Sequence, residues 1–164
     1  MKRAFLPLAL AAVLAPACGV ANTTAHRRPP PVVGKAEYQR SLSAAMTEFR
    51  SVLRTLEGHT TLAGFATALA SAERRLMVAA RDLNAVNPPN EAEQQNQQLV
   101  GGLRALAAQL HELRLFLDEA RHRRLDTVDA ATDLLSRMRF GDSIEQIQDA
   151  RDELARRGYK ATAG

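Results

Sequence analysis

Imidazoles and carboxylates at helical spacing are the first groups in this sequence whose types allow chemistry. The four histidines are His26, His59, His111 and His122. His111, Asp118 and His122 are seven and four residues apart, close to whole turns of an α-helix. One helix face can therefore collect all three as a candidate metal site. Glu119 and His122 make one Glu-x-x-His step, the spacing of di-iron carboxylate bundles. That centre needs a second such step and two more inward glutamates, and the sequence has no second step. The alternative is a solvated polar face. A single residue step turns a helix by about 100°, which sets His111 and His122 off the stripe of Leu110, Leu113 and Leu117. The spacing favours the solvated face.

Other catalytic patterns are missing. There is no Gly-x-Ser-x-Gly elbow and no Cys-x-x-Cys-His for covalent haem. Gly101-Gly102 has no Lys-Ser/Thr partner and is no phosphate loop. It reads as a small-residue notch, where a neighbouring helix comes close or the helix bends. Arg74, Arg75 and Arg81 alternate with Glu73 and Asp82. Arg121, Arg123 and Arg124 alternate with Asp118, Glu119 and Asp126. Alternating sign marks solvated helix surfaces, and no aromatic platform for nucleic-acid bases accompanies them. No catalytic residue is assigned, and a non-enzymatic protein without a cofactor is expected.

The elements that must position these residues are helices. At 46% hydrophobic and 24% charged, the chain of 164 residues suits one domain with a real core. Asn87-Pro88-Pro89-Asn90-Glu91 ends one element and opens another, because proline cannot continue a helix. Asn90 is the expected cap, with Glu91 and Glu93 in the first turn. Leu99, Leu103, Leu106, Leu110, Leu113 and Leu117 then recur at fours and threes over a helix expected to reach about residue 124. The polar run 91–98 before them is expected to be solvated. Tyr38, Leu42, Met46, Phe49, Leu53 and Leu56 predict a first helix over 35–57, stopped at Gly58. Thr60 or Thr61 caps a second, ending near Val86, with Leu62, Phe65, Leu69, Leu76 and Leu83 inward. A shorter helix is expected over about 125–138, with Asp126 as cap and a stop at Phe140-Gly141. A last one is expected over 143–157, closed by Gly158. Short loops force antiparallel neighbours. The expected fold is all-α: an up-and-down antiparallel bundle of four to five helices over 35–158, with a frayed tail over 159–164.

What precedes the bundle reads as address and tether. Lys2 and Arg3 precede an apolar run over 4–14, too short to anchor as a membrane span. Ala15-Pro16-Ala17 supplies small residues at a cleavage position, so 1–17 is expected to be a signal peptide. Cys18 follows at once and is the only cysteine, so no disulfide can form within the chain. Removing 1–17 takes Lys2 and Arg3 from the 22 basic residues. The remaining 20 face 18 acidic ones, a net charge of +2. Export and near-balance argue against a nucleic-acid partner. Residues 18–34, with Pro29-Pro30-Pro31, read as a semi-rigid tether at about 3 Å per residue.

A small-residue pair followed by a lone cysteine after a signal segment resembles the bacterial lipobox. The place usually held by leucine is held here by Ala15, with Leu14 one further back. The resemblance implies lipidation at Cys18 and anchoring at the outer face of a bacterial membrane. Failing that, the protein is secreted or periplasmic. The mature chain also resembles small exported helical-bundle proteins of high-GC bacteria. Four places carry the likeness: Tyr38 early in the first helix, Pro88-Pro89 with Glu91, the Leu99–Leu117 stripe, and Gly158-Tyr159 at the close. Paired cysteines common in such proteins are absent. The resemblance implies a fold and an exported location, and no activity. The expected protein is a lipid-anchored, envelope-associated interaction module whose protein partner the sequence does not name. The alternatives are a metal-binding bundle and a freely secreted one.

Overall fold

A computed structural model describes residues 31–57, 61–123 and 140–161. It contains α1 (Lys35–Leu56), α2 (Leu62–Asn84), a 3-10 turn (Asn90–Ala92), α3 (Glu93–Arg123) and α4 (Phe140–Arg156), with no strand among the described residues. The signal segment, Cys18, most of the tether and the helix expected over 125–138 lie outside these residues.

Each helix runs antiparallel to the next. Glu48 of α1 meets Arg75 of α2 at 2.8 Å. Glu73 of α2 meets His111 of α3 at 2.9 Å. Gln146 of α4 donates to the Gln98 carbonyl of α3 at 3.1 Å. The expected all-α bundle is therefore what forms, with α2 between α1 and α3, and α4 against α3.

The apolar stripes meet in one core. Leu42, Met46, Leu69, Leu76, Leu83, Leu99, Leu103, Ile147 and Leu154 are all fully buried. Each such side chain contributes roughly 1.5–3 kcal/mol. Alanine fills the close approaches: Ala72, Ala79, Ala80 and Ala107 are buried between helices. Gly102 marks the tightest contact. A Cβ there would stand 2.7 Å from Ile147 Cγ1 and 3.4 Å from the Ser143 carbonyl, so α4 seats against bare α3 backbone. The notch expected from Gly101-Gly102 is this seat.

Several boundaries differ from expectation. Thr61 does cap α2, its hydroxyl accepting from Gly64 N–H at 3.1 Å, and α2 stops at Asn84, two residues short of Val86. Asn90 is not a side-chain cap. It opens the 3-10 turn behind Pro89, and its carbonyl accepts from Glu93 N–H. That tight turn drives Ala92 into the core. The last helix includes Phe140 and Gly141, three residues ahead of the start expected at Ser143, with Asp142 in the favourable first turn. Gly158 ends α4 in the left-handed region at φ 81°. The tail is not frayed from residue 159. The Gly158 turn folds the chain back, Tyr159 N–H reaches the Leu154 carbonyl at 2.8 Å, and the Tyr159 ring is 1% exposed.

Candidate functional site

Polar groups converge at one end of the bundle. The start of α1, the 3-10 turn, the start of α3 and the end of α4 all meet there. Tyr38 O–H donates to Asn96 Oδ1 at 3.1 Å, a buried bond. Tyr159 O–H donates to Glu91 Oε1 at 2.6 Å. The two rings pack edge to face with centroids 5.4 Å apart. Lys35 Nζ lies 4.8 Å above the Tyr159 ring. Arg157 donates to the Glu91 carbonyl at 2.6 Å, and Gln39 donates to the Gly158 carbonyl at 3.2 Å. The strap before α1 joins in, with Val33 N–H on the Asn87 carbonyl at 2.9 Å.

This knot fixes protonation. Burial raises the Tyr38 phenol above its ordinary range, with Tyr159 adding to the effect. Burial likewise pushes Tyr159 up to about 12, helped by the bond it gives Glu91 and by that carboxylate's charge. Glu91 is held below the usual carboxylate range by the Tyr159 hydroxyl first, then by its own backbone, Lys35 and Arg157. Both phenols are thus neutral donors already committed to acceptors. They tie four chain segments together.

Sequence reasoning missed half of this cluster. The run 91–98 was expected to be solvated, yet Ala92, Gln95 and Asn96 are buried. The signal lay in their spacing: Ala92, Asn96, Leu99 and Leu103 continue one helical stripe. The Gln95 side-chain oxygen is buried without a hydrogen-bond partner. Tyr38, Pro88-Pro89, Glu91 and Gly158-Tyr159, quoted above for the resemblance, all come to this end.

The candidate metal residues do not come together. His111 Nδ1 lies 2.9 Å from Glu73 Oε1 on α2 and 3.2 Å from Arg114 Nη2. Arg114 also meets Glu73 at 3.3 Å and Asp118 at 3.5 Å. A guanidinium therefore stands between His111 and Asp118, where a metal ion would have to sit. His122 is exposed, and its Nδ1 contacts the Asp118 carbonyl at 2.6 Å. No group of three or more His, Cys, Asp or Glu side chains among the described residues is placed to hold a metal. The cluster Glu73–His111–Arg114–Asp118 is a polar clasp between α2 and α3, worth about 0–1 kcal/mol per exposed pair.

A third feature lies on the outer side of α1 and α2. A groove of about 460 Å³ has Ala44, Ala45, Ala79 and Leu83 along it and charged residues at its rim. Val78, in its lining on α2, is 46% exposed. No described helix is long and apolar enough to cross a membrane.

The combination of features defines an α-helical bundle with a knotted end, and comparison adds no relative. No protein family, no curated protein and no solved structure matches this chain.

Proposed function

We propose that this protein is an exported, lipid-anchored helical bundle that serves as a non-enzymatic interaction module at the outer face of a bacterial membrane. The observation that carries the reading is the order of residues at the start of the chain. Lys2-Arg3, the apolar run 4–14 and Ala15-Pro16-Ala17 lead directly to the lone Cys18. Prolines then separate that cysteine from the folded domain, as a tether requires. The bundle supports the same reading in its side chains. Most of its large apolar groups lie in the helix seams, and its polar cluster joins chain segments.

The test is processing and fractionation of the full-length protein against Cys18→Ala. The parent is expected in the membrane fraction, with incorporated fatty acid. The variant is expected to lose both the label and the membrane association. Identical labelling and partition for the two would remove the lipoprotein reading. A soluble parent exported to the medium or periplasm would replace it with simple secretion.

A further inference from the structure

We propose that the groove between α1 and α2 is a self-association surface, in which a second copy of this chain packs around a two-fold axis at Val78. A two-fold interface uses the same patch on both copies, so each feature must meet its own image. Val78 stands at the centre of such a patch. Arg74 lies four residues before it and Asp82 four after, and all three share the lining of the groove. Residues at i−4, i and i+4 form one stripe along a helix, with about 6 Å of rise on either side of the centre. Setting this stripe antiparallel against its image brings Val78 to Val78. It brings Arg74 of each copy to the level of Asp82 of the other. The charge order along α2 is therefore self-complementary, cation to anion twice.

The rest of the patch agrees. Arg74 is exposed and makes no ion pair among the described residues. Asp82 is paired only with its neighbour Arg81 at 2.7 Å, both side chains being 60% or more exposed, and a carboxylate can accept from a second guanidinium. The same axis sets Arg75 opposite Arg81. Each is neutralised within its own copy, Arg75 by Glu48 at 2.8 Å and Arg81 by Asp82. On α1 the groove offers only Ser41, Ala44, Ala45 and Glu48, and such small residues let a facing helix approach. Val78, a half-exposed apolar side chain in the lining, supplies the surface to be covered. A lipid chain would find the same floor but would bring no carboxylate to Arg74 and no second cation to Asp82.

The experiment is sedimentation of the full chain carrying Cys18→Ser over a range of concentrations, which keeps the result independent of lipidation. Arg74→Glu, Asp82→Arg and the double reversal are compared with it, and circular dichroism confirms that each remains helical. A reversible dimer is expected. Each single reversal sets like charges together at two symmetry-related places and weakens it by at least about tenfold, or 1.4 kcal/mol. The double reversal restores the pairing between copies but leaves Arg81 without its own carboxylate, so it is expected to bind more tightly than either single reversal and less tightly than the parent. A monomer at every concentration would overturn the proposal. So would a dimer indifferent to the single reversals, or a double reversal no tighter than either single one.

Discussion

Adding one methyl group at Gly102 should destabilise this protein, although the same change one residue earlier should stabilise it. Both glycines lie within α3, where replacing glycine by alanine gains about 0.8–1 kcal/mol in helix propensity. At Gly101 the new Cβ meets only the Gln146 amide nitrogen at 3.5 Å, an ordinary contact at the end of a flexible chain. Gly101→Ala should therefore keep most of that gain. At Gly102 the new Cβ falls 2.7 Å from Ile147 Cγ1, an atom close to the α4 backbone. Ile147 is fully buried, so it cannot swing aside. The Ser143 carbonyl at 3.4 Å blocks a simple slide of α4. Overpacking of this kind costs about 1–3 kcal/mol, which exceeds the propensity gain at all but its lower limit. The net expectation for Gly102→Ala is a loss of about 1 kcal/mol. Urea denaturation followed by circular dichroism measures both variants, with the slope checked for two-state behaviour. A double-mutant cycle with Ile147→Ala should show a favourable coupling, because removing Ile147 makes room for the methyl. A more stable Gly102→Ala, or a cycle without coupling, would show that α3 and α4 do not meet at this seat.

Three further outcomes follow from the knotted end. Tyr38→Phe leaves the buried Asn96 carbonyl oxygen unpaired and should cost about 1–3 kcal/mol in the same denaturation assay. The pH dependence has a definite sign. Tyr159 has its phenol pushed from 10.0 up to about 12, so folding favours the neutral form. Its contribution to stability is intact below pH 10 and fades as pH rises through about 12. Tyrosinate absorbance during base titration should therefore appear late, with unfolding. Glu91→Gln removes the charge that helps hold Tyr159 protonated, and should move that titration to lower pH; an unchanged curve would break the link between the two residues.

The fold was legible because leucines at threes and fours, punctuated by Pro88-Pro89, Thr61 and Gly158, specify helix length and facing together. The knotted end was less legible for a physical reason. Asn96 and Gln95 are polar by type, and only the partner from α1 makes a buried asparagine affordable. Tyr159 sits beyond the last helical residue, where periodicity no longer applies, and its place depends on a glycine turning the chain back. The face of His111, Asp118 and His122, read from the spacing as solvated rather than ligating, had partners that were not legible. Spacing set His111, Asp118 and His122 on one side of α3, but it could not foresee Glu73 arriving from α2 or Arg114 standing between them. The groove was only partly visible. The alternating Glu73, Arg74, Arg75, Arg81 and Asp82 were expected to be plain solvated surface.

The bond from Val33 to the Asn87 carbonyl and the return of Gly158-Tyr159 onto Gln39 and Glu91 bring both ends of the described chain to one pole. The described chain therefore enters and leaves the bundle at the same end. The long flanks of α1 and α2 would stay open for whatever the molecule has to meet.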